Sequence, residues 1–531
     1  MQSVCTYLPY RSTGYFSTIV SDYINGEKDL QPFYDYPVNT DGIKAAIDKR
    51  KQFKTDRNLL VAVLKEQYKN VQLTAKQQQH IEQLKSENTF TICTAHQPNI
   101  FTGHLYFIYK ILQTVKIAET LSSQITGASF VPVYYMGSED ADLDELGHVF
   151  IEGIKYEWKT EQKGALGRMK VDKALLQLID SVSGQLLVHE HGKEVVEMMK
   201  HCYQLGVTIE QATFTLVNEL FAEYGLLVLL PDNRILKNAF ASVIEKELLE
   251  QFSHKAVAET VSSFPAKYKV QAAGRELNLF YLTDEGRERI EIINNQYSIL
   301  NTQLVFSKDE ILNELKEFPE RFSPNVILRP VYQEMILPNV AFIGGGGEIA
   351  YWLELKKVFE AAGVPYPMLI LRNSFLLVDE KSNVLIEKLK LSTEDIFKPE
   401  FDLLNVLVKR ESNNQLSLQK EKEALQELYG RLKLVAGTVD TTLQQHTEAL
   451  HAKALQKVEA LEKKILKAEK NKFEAEQRQL HKLKEQLFLN NNLQERVENF
   501  MLYYAKDGKS FIESIYEYSL ALEQEFAIIR I

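Results

Sequence analysis

Two short β-prone segments with one helical stretch between them limit this chain more than any other feature. Phe90-Thr91-Ile92-Cys93-Thr94 and residues 130–136 read as buried strands. Between them, residues 105–121 carry apolar side chains at a spacing of three and four, as a helix does. Strand, loop, helix and strand in that order make a βαβ unit, which closes as a right-handed parallel crossover. Further strand candidates are 225–230, Val326-Ile327-Leu328 and 368–371, with helical stretches at 194–205 and 210–224. Alternation of this kind predicts the α/β class, with a doubly wound parallel sheet. The intervals between strands, roughly 60 to 90 residues, exceed ordinary crossovers. Insertions are therefore placed near 155–220 and 265–320.

Beyond about residue 383 the texture changes. Leu425, Leu428, Leu432, Val435 and Val439 recur at helical spacing. A second series runs through Ala454, Val458, Leu461, Ile465 and Ala468, then shifts phase into Phe473, Leu480, Leu483 and Leu487. Lys, Glu and Gln fill the other positions, so the pattern is heptad-like and the phase shift reads as a stutter. Gly437 suits a helix end, and Asp440 or Thr441 suits the next cap. So short a turn makes the two helices antiparallel. Taken as one helix of about 45 residues, the second would reach roughly 65–70 Å. Its apolar stripe needs burial, and a homodimer through the coiled coil is expected. The expected organisation is a core over 1–382, an antiparallel coiled coil over 383–489 and a segment over 490–531 that returns to the core. Residues 1–60, with Tyr7, Tyr10, Tyr23 and Phe33, are expected to wrap the surface.

Charge and cysteine usage exclude several classes. The formal net charge of -10 repels phosphate backbones, so nucleic acid is not an expected partner. No apolar run approaches the roughly 18–20 residues that span a bilayer. The first ten residues lack the order of a secretory signal. No membrane association and a cytoplasmic location are expected. Only three cysteines occur, Cys5, Cys93 and Cys202, with no C-x-x-C pair. A thiolate zinc site is excluded by that count, and a disulfide framework is not expected.

Three segments carry candidate chemistry. The loop Thr94-Ala95-His96-Gln97-Pro98-Asn99-Ile100-Phe101-Thr102-Gly103-His104 follows the first strand. Ligands of open parallel sheets bind at such carboxyl ends, here just ahead of a helix start that favours anions. Gly103-His104 resembles the second half of an H-x-G-H signature, but His96 stands eight residues away from His104, so the signature is broken. The second segment, Gly137-Ser138-Glu139-Asp140-Ala141-Asp142-Leu143-Asp144-Glu145-Leu146-Gly147-His148, follows the second strand and packs five carboxylates into seven residues. Such density is costly unless a cation is bound nearby: an amine, Mg²⁺ or an arginine. An acidic helix start accounts for part of it. Glu139, Asp140 and Asp142 are the site candidates, with His148 behind them. The EF-hand pattern fails, because its glycine position holds Glu145.

The third segment is Gly344-Gly345-Gly346-Gly347-Glu348, an apolar stretch running through four glycines into a helix. It is no P-loop, since no Lys-Ser or Lys-Thr follows, yet glycines let a backbone approach phosphate closely. Arg329 and Arg372 lie near it and suit an anionic substrate.

Taken together, these segments resemble the BshC family of bacillithiol synthesis over nearly the whole chain. The resemblance is carried by G-S-E-D-A-D-L-D-E-L-G-H at 137–148 and by L-R-P-V-Y-Q-E-M-I-L-P-N-V-A-F-I-G-G-G-G-E-I-A-Y-W at 328–352. Asp440-Thr441-Thr442-Leu443 and Leu493-Gln494-Glu495-Arg496 also match. The family's T-G-Q-Q loop reads Thr94-Ala95-His96-Gln97 here, and Ala141 stands where a histidine is common. The resemblance implies a Rossmann-like core with two insertions, a dimerising coiled coil and a capacity to bind ATP or ADP, with Mg²⁺ admissible and no zinc. It implies a ligase that joins cysteine to glucosaminyl malate. His96, with Thr94, Gln97, Asn99 and Gly103, would then hold phosphate or the malyl carboxylates, and Glu139, Asp140 and Asp142 would bind or deprotonate the amine. No K-M-S-K-S loop is present. Two other readings stay open: a nucleotidyltransferase, and a non-catalytic nucleotide-binding scaffold.

Overall fold

In the computed structural model, which describes residues 4–272, 274–283 and 286–531, the chain starts with β1 (Val4–Pro9) and later forms α1 (Thr40–Lys51). The Asn39 side chain caps α1 by accepting from the Gly42 N–H at 2.9 Å. The βαβ unit follows as β2 (Thr89–His96), α2 (Tyr106–Gln124) and β3 (Ser129–Met136). Next come a hairpin, β4 (His148–Ile151) and β5 (Ile154–Glu157), and three helices, α3 (Lys173–Leu186), α4 (Gly192–Cys202) and α5 (Ile209–Phe221). After β6 (Leu227–Leu229) and α6 (Arg234–Glu250) the chain lays down β7 (Leu279–Leu282), β8 (Arg287–Ile293), β9 (Gln296–Ile299), β10 (Val305–Phe306) and β11 (Phe322–Pro324). Finally, α7 (Arg329–Ile336), β12 (Asn339–Gly344), α8 (Gly346–Trp352), β13 (Met368–Leu371) and β14 (Phe375–Val378) lead towards the second unit.

The central sheet has the order β13-β12-β2-β3-β6, and every neighbouring pair in it is parallel. Residues 89–94 of β2 are all buried, as expected of a strand covered on both faces. Ile92, Phe130, Ile343 and Ile370 of the sheet pack with Ile43 and Ile47 of α1 and Ile117 and Leu121 of α2 in one core. The α/β reading therefore holds. β7 to β11 form a separate antiparallel sheet, order β10-β9-β8-β7-β11, between β6 and β12.

Two local expectations are corrected. Val326-Ile327-Leu328 is not a strand. The Asn325 side chain accepts from the Ile327 N–H at 2.9 Å, making a turn, and Pro330 in the first turn of α7 suits a helix start. The strand is Asn339–Gly344 instead, inserted between β13 and β2. The N-terminal aromatics are not a surface wrap either. Tyr10 and Tyr23 are buried, and their hydroxyls donate to the carbonyls of Arg372 (3.0 Å) and Leu369 (2.7 Å) at the end of β13.

The first compact unit comprises Met1–Arg11, Tyr15–Leu377 and Asn492–Ile529; the second comprises Ser12–Gly14, Val378–Asn491 and Arg530–Ile531. In the second, α9 (Gln419–Val439) and α10 (Thr442–Lys470) run antiparallel. The Lys422–Glu462 ion pair at 2.7 Å and the stacked Tyr429 and His451 rings, 5.3 Å apart, show the pairing. Gly437 lies inside α9, and Asp440 caps the next helix through the Thr442 N–H at 2.8 Å. The single long helix expected here is two: α10 ends at Lys470, a 3-10 turn spans Asn471–Phe473, and α11 (Glu474–Leu487) follows. The phase shift is absorbed by that turn rather than by a continuous stutter. At 1.5 Å per residue α10 is roughly 43 Å long. Val435 and Val439 on α9 are 65% and 80% exposed. The C-terminal strand β15 (Glu525–Arg530) lies between β1 and β14 in a three-stranded sheet. Among the described residues no helix is long and apolar enough to cross a membrane.

Candidate active site

A cavity of about 450 Å³ opens at the carboxyl ends of the parallel strands. Ala95 and His96 end β2, Gly137 follows β3, Gly345–Gly347 follow β12 and Arg372 follows β13, and all of these line it. Aromatic walls come from Tyr106, Tyr135, Phe342, Tyr351 and Trp352. Placement at this edge is a property of the sheet: strands end together, and the loops that leave them converge.

The β2 loop divides into site and support. The His96 ring sits between Tyr106 and Phe107, with centroids 5.4 and 5.6 Å away. Burial, then the charges of Lys110, His104, Arg372 and Arg329, hold its pKa well below the ordinary histidine range. It is a neutral imidazole with a buried Nε2 that has no hydrogen-bond partner among the described residues. Gln97 also lines the cavity and donates to Asp140 at 3.2 Å. Thr94 and Asn99 do not reach it: the Thr94 hydroxyl donates to the Ile343 carbonyl at 2.9 Å, and Asn99 is buried beneath Gly103. Gly103, at φ +68°, is a structural requirement, since a Cβ there would lie 2.9 Å from that of Asn99. Asn499 fastens this turn by donating to the Phe101 and Gly103 carbonyls.

The acidic segment is corrected most. Glu139 is buried in an ion pair with Lys237 and accepts from Ser323 at 3.0 Å, outside the cavity. Asp142 caps the four-residue helix Leu143–Leu146 by accepting from the Glu145 N–H at 3.1 Å. His148 is tied to the Asp144 carbonyl at 2.8 Å. None of these three lines the cavity. Asp140 stands between Arg287 and Arg329, each 3.7 Å away. Burial raises its pKa, but the two guanidiniums, with hydrogen bonds from Gln97 and the Ala141 N–H, together hold it below the usual carboxylate range. The carboxylate of this segment that lines the cavity is Glu145. Among the described residues it has no hydrogen-bond or ion-pair partner from its side chain. Burial, then Asp142 and Asp140, raise its pKa.

The glycine turn divides likewise. Gly344 is the buried end of β12, and Gly345–Gly347 face the cavity. Glu348 folds back onto its own turn, accepting from the Gly345 N–H at 2.7 Å and from Lys110 at 2.7 Å. Lys110, 1% exposed, also donates to the Ala95 carbonyl at 2.7 Å. One buried ammonium thus ties the ends of neighbouring strands β2 and β12. A lysine inside Phe107-Ile108-Tyr109-Lys110-Ile111-Leu112 was the available signal for it. Lys110→Met should lower stability by about 2–4 kcal/mol, because it strands a carbonyl and a carboxylate together. Urea titration followed by tryptophan fluorescence checks this; loss under 1 kcal/mol would show the pair to be dispensable.

Charge in the cavity is unbalanced. Arg372 is matched by Glu495 at 2.7 Å and lies over the Tyr106 ring at 4.9 Å. Lys110 is matched by Glu348. Asp140 is shared by two arginines, and Arg496, which also lines the cavity, has no carboxylate partner among the described residues. With Glu145 ionised, the guanidiniums of Arg287, Arg329 and Arg496 face two carboxylates, Asp140 and Glu145, so one positive charge is in excess. Arg496 had no local sequence signal as a site residue, as it arrives from beyond the coiled coil. Among the described residues no group of three or more His, Cys, Asp or Glu is placed to hold a metal ion.

Comparison with known proteins agrees with this fold. The model for "Bacillithiol biosynthesis BshC, N-terminal Rossmann-like domain" matches residues 3–373, and the one for the C-terminal coiled-coil domain matches 375–531. The chain belongs to the BshC family. A BshC protein of Flavobacterium johnsoniae, named "Putative cysteine ligase BshC", is 39% identical over 99% of both chains. BshC of Cytophaga hutchinsonii is 38% identical over 94% of both, and that of Bacillus cytotoxicus 25% identical over 97% of this chain and 98% of its own. Among solved structures, one named as an arginyl-tRNA synthetase of Campylobacter jejuni aligns over 85% of this chain and 98% of its own at 9% identity, with a TM-score of 0.25. That score is too low to carry an argument. The Rossmann-like core and coiled coil of the BshC family are the two parts described above.

Proposed function

We propose that this chain forms the amide between the carboxyl of L-cysteine and the amine of glucosaminyl malate, completing bacillithiol in the cytoplasm. The observation that carries the reading is the cavity itself. It sets two guanidiniums, Arg329 and Arg496, suited to the two carboxylates of a malyl group, in the same enclosure as Glu145, a carboxylate with no hydrogen-bond or ion-pair partner among the described residues. Family membership adds the curated relatives' name of cysteine ligase.

A carboxylate does not acylate an amine in water, so ATP is the proposed activating substrate, with Mg²⁺ as its counter-ion and ADP or AMP as product. Gly346 and Gly347 leave backbone open to a phosphate, while Glu348 already occupies the Gly345 N–H. Arg329 binds the acceptor. Glu145 takes a proton from the acceptor's ammonium, freeing the nitrogen lone pair to attack the activated carbonyl carbon. The C–N bond forms as the bond to the activating group breaks. Neutral His96 offers a hydrogen bond rather than a charge. The apolar positions left open on α9 suit a second copy of the chain, so a homodimer is part of the reading.

The test is incubation of the purified chain with cysteine and glucosaminyl malate, with and without ATP·Mg²⁺, followed by mass spectrometry. Product that requires ATP supports the ligase reading. Absence of product from folded protein under every condition removes it.

A further inference from the structure

Resting on that reading, we propose that Arg496 recognises the second carboxylate of the acceptor and makes the enzyme selective for a dicarboxylate over a monocarboxylate. The charge arrangement carries this. Arg372 holds Glu495 at 2.7 Å, Ser374 at 3.1 Å and the Asn373 carbonyl at 3.1 Å, so three of its five N–H donors are engaged and its charge is matched. Arg329 retains a partial claim on Asp140 at 3.7 Å. Arg496 has neither an ion pair nor a side-chain hydrogen bond among the described residues; its guanidinium lies 5.8 Å from the Phe16 ring centroid. A cavity that seats one carboxylate on Arg329 leaves Arg496 without an ion-pair partner among the described residues. A ligand bearing a second carboxylate supplies the missing charge.

Position supports the assignment. Arg496 follows Glu495, which is buried and fixed to the end of β13 by Arg372, so the backbone that presents Arg496 is anchored. The side chain itself reaches the cavity while keeping contact with solvent. A flexible cation on a fixed stem can close on an anion without rearranging the core. Its removal should therefore affect recognition and leave folding intact.

L-malate and L-lactate differ by one carboxylate and are the probes. Calorimetric titration of the full chain should show wild type binding L-malate roughly 30- to 100-fold more tightly than L-lactate. Arg496→Gln should bring that ratio below about 5-fold by weakening malate alone, and Arg496→Lys should restore part of it. Steady-state rates with glucosaminyl malate and the matching glucosaminyl lactate should show the same pattern in kcat/KM. An unchanged ratio in Arg496→Gln, or equal binding of both acids by wild type, overturns the proposal. Arg496-dependent discrimination without product formation would sink the ligase reading and leave the carboxylate site standing.

Discussion

Replacing Glu145 with glutamine should lower kcat by about 10²- to 10³-fold, the range a positioned general base contributes. KM for glucosaminyl malate should stay within about 3-fold, since glutamine keeps the shape and the base acts mainly in the transition state. The pH profile gives the sharper test. Glu145 works as a base only when ionised, and its pKa is raised by burial and by Asp142 and Asp140. Wild-type kcat/KM should therefore climb with pH through a limb above the ordinary carboxylate range, and that limb should vanish in Glu145→Gln. Glu139→Gln and Asp142→Asn are the contrast. Glu139 answers Lys237 outside the cavity and Asp142 caps a helix, so their loss should reduce stability without abolishing the limb, which in Asp142→Asn should move towards lower pH as the neighbouring charge is lost. A Glu145→Gln enzyme with wild-type rate and profile would rule this base out.

Arg50→Met should cost about 3–5 kcal/mol, the penalty of stranding a buried charge. Arg50 is 2% exposed and sits on α1, the helix that covers one face of the sheet. It donates to the Glu334 carboxylate at 2.7 Å, the Glu334 carbonyl at 2.7 Å and the Pro365 carbonyl at 3.2 Å. Glu334 is fully buried and also accepts from Asn339 at the start of β12. Without Arg50 the carboxyl can avoid an unpaired charge only by binding a proton. Burial already raises the Glu334 pKa against the pull of Arg50, and the variant raises it further. The folded state then binds more protons than the unfolded one, so stability falls as pH rises and the deficit shrinks towards acid. Arg50→Met with Glu334→Gln should recover much of the loss. Both tryptophans, Trp158 and Trp352, lie in the first unit, so urea unfolding read by intrinsic fluorescence reports that unit alone. A single variant as stable as wild type would show the pair to be solvated.

Much of this architecture is legible before any fold is known. Runs such as Phe90 to Thr94 and the segment 130–136 announce strands, because a strand buried on both faces must be apolar throughout. The alternation with helices announces a parallel sheet, and a parallel sheet puts its ligand site at the carboxyl ends. His96, Gln97 and Arg372 were reached that way, Gly345–Gly347 as a glycine turn into a helix start and Arg329 as a cation near it, and all of them line the cavity. The coiled coil was visible for the same reason, since its spacing is a local property of one helix. Val326-Ile327-Leu328 misled because three β-prone residues cannot outweigh an Asn325 turn and a Pro330 helix start. The break at Asn471–Phe473 was visible only as a change of phase.

Tertiary structure alone decided which charges are free. Glu139, Asp140, Asp142 and Glu145 are alike in sequence, but Lys237, Arg287 and Arg329 arrive from 90 or more residues away to engage the first two, and a helix cap takes the third. Only Glu145 is left to face the cavity. The same holds for the cations: Glu495 neutralises Arg372 across more than a hundred residues, while its neighbour Arg496 stays unmatched. Hydrophobic periodicity is written along the chain because it obeys the repeat of one element. Charge pairing obeys distance in space, so the reactive groups of this site emerge only when the strands and the returning C-terminal segment come together.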